Sequence, residues 1–243
     1  MALSWGLQFV GPIHSLMGMI RLVLFDIDGT LVHTGGAGTK AFARAFATEF
    51  GIPDGTQRLQ FAGRTDVSLV REFFNLERIE PSQENFDRFF AAYLRWLREM
   101  ILDCKGGACR GVPEFYQSLL AQPEPPLIGL LTGNIKQGAR IKLERFDLWQ
   151  WFPFGAFADD HEERDQIAVA ALRRGSQQCG RDLRGEEVLV IGDTPLDIRC
   201  GRAIGAKVLA VATGGVSLPE LERHNPDWAV PDLTHIPSTQ VLG

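Results

Sequence analysis

The sequence predicts an α/β fold: a doubly wound parallel sheet, interrupted early in the chain by an all-helical insert. Three observations predict it. Four apolar residues in a row, Leu22-Val23-Leu24-Phe25, end on two carboxylates, Asp26 and Asp28. An unbroken apolar run of this kind reads as a strand covered on both faces. From residue 111 onward, short apolar runs alternate with helical patterns, as in strands joined by crossover helices. Between these regions, residues 33–110 carry helical periodicity and an aromatic stripe.

The chain has 243 residues, enough to bury a sizeable core in one domain or two. Its apolar share of 45% and charged share of 23% are ordinary for a soluble protein and exclude a disordered chain. The net charge of -5 argues against nucleic acid as a partner. No apolar run is long enough to span a membrane. Residues 33–110 hold 11 Lys/Arg against 10 Asp/Glu, and the rest hold 14 against 20. The insert is thus the more basic part, which suits a lid over an anionic substrate. Cys104, Cys109, Cys179 and Cys200 form no Cys-x-x-Cys pair and no metal-ligand spacing with a histidine. Reduced thiols in a cytoplasmic protein are the expectation.

Residues 1–18 lack the basic start and cleavage pattern of a signal peptide. They are expected to be an N-terminal extension, poorly ordered or packed on the surface. In the strand that follows, alternation sends Asp26 and Asp28 to the same side, and Gly29 allows a sharp turn just after them. Two acids at the end of a buried strand cost solvation free energy. A divalent cation offsets that cost, and oxygen-only ligands suit Mg²⁺. The plainer reading is an acidic turn, since Asp-Gly is a common turn dipeptide.

A glycine-rich loop at 34–38 precedes a helix carrying Ala41, Phe42, Ala45, Phe46 and Phe50, closed by Gly51 and Pro53. Thr65 or Asp66 caps a second helix with Val67, Val70, Phe73 and Phe74. The longest helix begins near Ser82, and Phe86, Phe89, Phe90, Tyr93, Leu94, Leu97 and Ile101 recur along it at three- and four-residue steps. Such a stripe is the packing face of a small helical bundle. Pro113 sits at the start of the next helix, and Leu127–Leu131 is a second buried strand. Then come a helix after Asn134, a short strand at 154–158, a helix over 165–178, a strand at 188–191, a helix over 196–204 and a strand at 207–211. The tail after Pro231 carries little signal. The expected organisation is a core of residues 19–32 and 111–243 with residues 33–110 inserted. Ligands should bind beyond the carboxyl ends of the strands.

Two further strand ends carry chemistry. Thr132-Gly133-Asn134 offers a hydroxyl, a permissive glycine and backbone N–H groups at a helix N-terminus, a cradle for an oxyanion or phosphate. An ordinary helix cap is the plainer reading. Asp193 and Asp197, four residues apart past a strand, can reach one metal from the side opposite Asp26. Asp193 alone would also suit a helix cap. The acidic run from Asp159 to Glu163 ends on Arg164, a good bidentate partner for carboxylate or phosphate. His161 within it reads as a surface residue.

Asp26-Ile27-Asp28-Gly29-Thr30 resembles the first motif of the haloacid dehalogenase-like hydrolases, Asp-x-Asp-x-Thr after an apolar strand. Thr132-Gly133-Asn134 resembles their second motif, and Gly192-Asp193-Thr194-Pro195-Leu196-Asp197 their fourth. The resemblance covers about residues 19–211. It implies a Rossmann-like core in which Asp26 attacks phosphorus, forms an aspartyl phosphate and ligates Mg²⁺. It makes Asp28 the acid and base and, through its backbone carbonyl, a metal ligand. Thr132, with Gly133 and Asn134, would bind the phosphate. Asp193 would be a Mg²⁺ ligand, and Asp197 would support the metal directly, through water, or by orienting the loop. The family's third motif supplies a cation, usually lysine; Arg164 stands about there, with Lys136 and Lys142 as alternatives. Asp28 together with Asp193 points to phosphate chemistry rather than dehalogenation. The insert resembles the cap of the phosphoglycolate phosphatase and β-phosphoglucomutase type, with Arg64 in its substrate-contacting loop. The expected protein is a Mg²⁺-dependent phosphatase, monomer or homodimer, acting on a small phosphorylated metabolite such as phosphoglycolate or a sugar phosphate. A sugar phosphomutase is the alternative, and a catalytically silent binding protein would lack Asp26 or Asp193.

Overall fold

The computed structural model describes residues 19–243; the expected N-terminal extension, residues 1–18, lies outside them. The chain enters at β1 (Leu22–Phe25), forms β2 (Val32–His33), and leaves into α1 (Ala37–Phe50), α2 (Asp66–Glu77) and α3 (Gln83–Met100). It returns through β3 (Gly107–Ala108) and α4 (Val112–Leu120). Alternation follows: β4 (Leu127–Leu131), α5 (Lys136–Glu144), β5 (Gly155–Ala156), α6 (Arg164–Cys179), β6 (Val188–Gly192), α7 (Pro195–Ala203) and β7 (Lys207–Val211). The chain closes with α8 (Leu218–Glu222), β8 (Trp228–Val230) and α9 (Ser238–Leu242). Six strands pair in the order β5-β4-β1-β6-β7-β8, all parallel. The strand expected at 154–158 is reduced to Gly155–Ala156. The β2–β3 ribbon, β8 and α9 are too short to register as periodic patterns.

The central position of β1 explains its unbroken apolar run. Val23 and Phe25 pack with Phe115, Leu119, Leu143 and Val241 on one face of the sheet. Leu22 and Leu24 pack with Ile167, Ala168 and Ala171 of α6 on the other. Both faces are covered by helices, so no position on the strand is free for a polar residue.

The inserted helices build a second core from Phe42, Phe46, Phe73, Phe74, Phe89 and Tyr93. Several of their rings meet edge to face, as between Phe42 and Tyr93, with centroids 4.6 Å apart at 68°, and Phe46 stacks on Phe73. On α3 the expected stripe is buried at Phe86, Phe89, Tyr93 and Leu97, with Phe90 and Leu94 half-buried at its margin. Thr65 caps α2: its hydroxyl accepts from Ser68 N–H at 3.1 Å. Ile135 and Ala158 from the sheet side join this second core, so the insert packs against the sheet layer. The two chain crossings between the insert and the sheet run antiparallel as β2 and β3, with His33 opposite Gly107.

Candidate active site

Strand register brings the site together. Phe25 pairs with Leu130 on one side and Ile191 on the other. The residues that follow, Asp26, Thr132 and Asp193, therefore emerge from three adjacent strands at nearly one level. They line one cavity of about 350 Å³ between the sheet and the inserted helices, whose wall also includes Phe42, Phe61 and Leu69.

Asp26 is buried, and its backbone N–H donates to Ile191 O at 3.0 Å. Its Oδ1 lies 3.0 Å from Arg164 Nη2. Burial pushes its carboxyl up to about 6, against the pull of the Arg164 guanidinium. Gly29 turns the chain at φ 82°; a Cβ there would sit 2.5 Å from Asp193 Oδ2, so this close approach needs glycine. Thr30 donates its hydroxyl to Asp193 Oδ1 at 3.3 Å. Asp193 is pushed up to about 9 by burial, then by the neighbouring carboxylates of Asp197 and Asp26.

Asp197 has both oxygens engaged. Oδ2 accepts from Thr194 N–H at 3.0 Å and Thr194 Oγ1 at 2.7 Å, capping α7, and Oδ1 accepts from Arg164 Nη2. These contacts tie Asp197 to the loop before α7 and to Arg164. Arg164 is the first residue of α6 and is buried. Its Nη1 donates to Gly63 O at 3.2 Å, and its buried Nε has no partner among the described residues.

The second strand end is more occupied than the sequence suggests. Thr132 Oγ1 accepts from Asn134 Nδ2 at 2.9 Å and Asn134 N–H at 3.3 Å. The amides at the start of α5 are not free: Ile135 N–H donates to Asp66 Oδ2 at 2.8 Å, and Lys136 N–H donates to Asp159 Oδ2. Two of the amides at the start of α5 are thus engaged by Asp66 and Asp159, while Thr132, Gly133 and Asn134 line the cavity. A Cβ on Gly133 would meet Arg64 O at 2.4 Å, which keeps that approach open to glycine alone.

The three candidate cations separate. Arg164 reaches Asp26. Lys142 is buried and its Nζ lies 2.6 Å from Asp28 Oδ2. Lys136 is exposed, over the Phe157 ring, and reaches neither. Arg64 lines the cavity, but its guanidinium is tied to Glu72 at 2.8 Å and Ser68 Oγ at 3.4 Å. His161 is exposed. Asp66, read from sequence as a possible cap within the Gly63–Asp66 loop, contacts the loop after β4: its N–H donates to Gly133 O at 2.7 Å. The Gly63-Arg64-Thr65-Asp66 spacing gave no sign of that partner, which comes from a loop about seventy residues away.

Carboxylate oxygens of Asp26, Asp193 and Asp197 lie within 4.8 Å of one another, all buried. One guanidinium faces three acids there. The donor set is all oxygen and carries excess negative charge, which fits a hard divalent cation. Among the described residues no helix is long and apolar enough to cross a membrane, and the four cysteines are unpaired.

A parallel sheet with an aspartate pair ending its central strand, a threonine ending the next, and a second acidic loop beside it defines a hydrolase class. The sequence profile of the haloacid dehalogenase-like hydrolases matches residues 23–211. The chain belongs to that family. It is similar to pyrophosphatase PpaX of Bacillus cereus (strain Q1), 26% identical over 234 residues, covering 89% of this chain and 94% of that protein. It is also similar to phosphoglycolate phosphatase of Photorhabdus laumondii, 24% identical over 230 residues, covering 90% and 92%. Among solved structures, a haloacid dehalogenase hydrolase of family IA, variant 3, from Entamoeba histolytica matches with a TM-score of 0.70 at 19% identity, covering 92% of this chain and 98% of that one. CbbY from Rhodobacter sphaeroides, in complex with phosphate, matches with a TM-score of 0.67 at 17% identity, covering 88% and 95%. At these identities the structures speak to the fold.

Proposed function

We propose that this chain is a Mg²⁺-dependent phosphatase acting on a small phosphorylated metabolite, phosphoglycolate-like or a sugar phosphate, through an aspartyl phosphate on Asp26. The observation that carries this reading is the buried pair of Asp26 and Arg164, in which the guanidinium keeps one N–H donor without a partner. A carboxylate nucleophile and a phosphoryl group repel each other. The positive charge of a buried arginine beside the nucleophile offsets that repulsion.

Asp26 attacks phosphorus in line, and the ester oxygen leaves with a proton from Asp28. Asp28 then takes a proton from the water that cleaves the aspartyl phosphate. Thr132 and Gly133 donate to phosphoryl oxygens, and Asn134 keeps Thr132 in place. The carboxylates of Asp26 and Asp193, with the backbone carbonyl of Asp28, would hold Mg²⁺, and Asp197 orients its neighbours. When bound, the metal offsets the charge between nucleophile and ester and stabilises the transferring phosphoryl group. The insert, residues 33–110, serves as the cap over core residues 19–32 and 111–243. It excludes bulk water from the cavity, and Arg64 meets the substrate from the cap side on leaving Glu72. A cavity of about 350 Å³ suits a small ester rather than a macromolecule. The enzyme would act in the cytoplasm as a monomer or homodimer.

The test is phosphate release from a panel of small esters and pyrophosphate, with Mg²⁺ and with EDTA. Turnover that EDTA and Asp26→Asn each abolish is the expected result. Isomer formation without stoichiometric phosphate would assign the chain to the sugar phosphomutases instead.

A further inference from the structure

Arg164 and Lys142 are both buried, and each is paired with a different acid of the β1 end. Lys142 Nζ donates to Asp28 Oδ2 at 2.6 Å and to Asn134 Oδ1 at 2.5 Å. Asn134 Nδ2 donates to the same Asp28 oxygen at 2.8 Å. These contacts form a closed triangle. Two donors hold Oδ2 of Asp28, whereas Oδ1 accepts no hydrogen bond among the described residues. The Lys142 side chain is 6% exposed and that of Asp28 is 43% exposed, on the cavity. A lysine buried this deeply is costly unless paired, and Asp28 is the carboxylate it pairs with.

We propose that Lys142 is a positioning residue for proton transfer: with Asn134 it pins one oxygen of Asp28 and leaves the other to protonate the departing ester oxygen. This rests on the phosphatase reading above. As the bond from phosphorus to the ester oxygen breaks, the bond from Asp26 to phosphorus forms. The proton on Asp28 Oδ1 moves to the ester oxygen, which leaves as a neutral alcohol. The electron pair of that O–H bond stays on Asp28, and the new carboxylate charge faces the Lys142 ammonium. Lys142 therefore matters in proportion to how badly the leaving oxygen needs a proton.

The experiment measures kcat/KM for wild type, Lys142→Met and Lys142→Arg on monoesters from alkyl phosphates to p-nitrophenyl phosphate. This parameter reports only steps through transfer to Asp26, so the later hydrolysis does not enter. Lys142→Met should lose about a hundredfold on alkyl esters and less than about tenfold on p-nitrophenyl phosphate. Lys142→Arg should recover part of the alkyl-ester loss. Lys142→Gln, which keeps a donor but no charge, gives the same comparison should the methionine variant not fold. A loss equal across the series, or no loss, overturns the proposal while leaving the phosphatase reading intact. Wild type inert on every ester overturns both.

Discussion

Asp193 and Asp197 lie one turn apart around the start of α7, yet their oxygens are differently engaged. Asp197 accepts from Thr194 and Arg164, whereas Asp193 accepts only from Thr30, at 3.3 Å, among the described residues. The two carboxylates thus differ in hydrogen-bond occupancy although both belong to the same buried acidic cluster. At the opposite end of the sheet, Glu187 is held by Arg181 at its side chain and by the Arg184 N–H at 2.9 Å. Arg181 above all, then that backbone N–H, holds the Glu187 carboxyl down to about 2, from an ordinary value of 4.5. A depressed carboxyl contributes stability that is complete above 4.5 and lost as pH falls toward 2. Glu187→Gln should therefore lower the melting temperature at neutral pH and flatten its decline between pH 4.5 and 2. Thermal melts across that range check it; parallel curves for the two proteins would refute it.

Among the elements, the loop before α2 ties the insert to the loops beyond β4 and β5 through hydrogen bonds. Asp66 exchanges two hydrogen bonds with the loop after β4, to Gly133 O and from Ile135 N–H. Thr65 Oγ1 donates to Glu162 O at 2.8 Å, Arg71 pairs with the Glu162 carboxylate at 2.7 Å, and Gly63 O accepts from Arg164. The insert is thus latched to the residues around Thr132 and Arg164. Burial pushes the Asp66 carboxyl up to about 7, partly opposed by Lys142. Asp66→Ala would leave Ile135 N–H without its acceptor, a loss of about 1–3 kcal/mol. The expected result is faster amide exchange at Ile135 and along α2, with the sheet strands unchanged. Uniform exchange across the whole chain would mean the residue supports global stability instead.

Across the whole molecule, what could be read in advance was what repeats locally. The period-two pattern placed Asp26 and Asp28 on one strand end, and the aromatic spacing of α3 gave the insert its packing face. Partners separated by a hundred residues left no such trace. Lys136 and Lys142 share one helix and look equivalent in sequence, yet only the packing of α5 against β1 turns Lys142 toward Asp28. The amides expected to be free at the start of α5 are taken by Asp66 and Asp159, from two other segments. The β2–β3 ribbon was invisible for the same reason: each of its strands has two residues, and its partner lies across the entire insert.

That ribbon has a consequence for how the chain tolerates change. His33 and Gly107 face each other, so about seventy residues depart and return at a single point. To the sheet, the whole excursion is equivalent to a tight turn. Replacing residues 34–106 with Asn-Gly should leave a folded α/β protein that melts cooperatively, because closing a loop depends only weakly on its length. A chain that fails to melt cooperatively would show that the sheet depends on its cover.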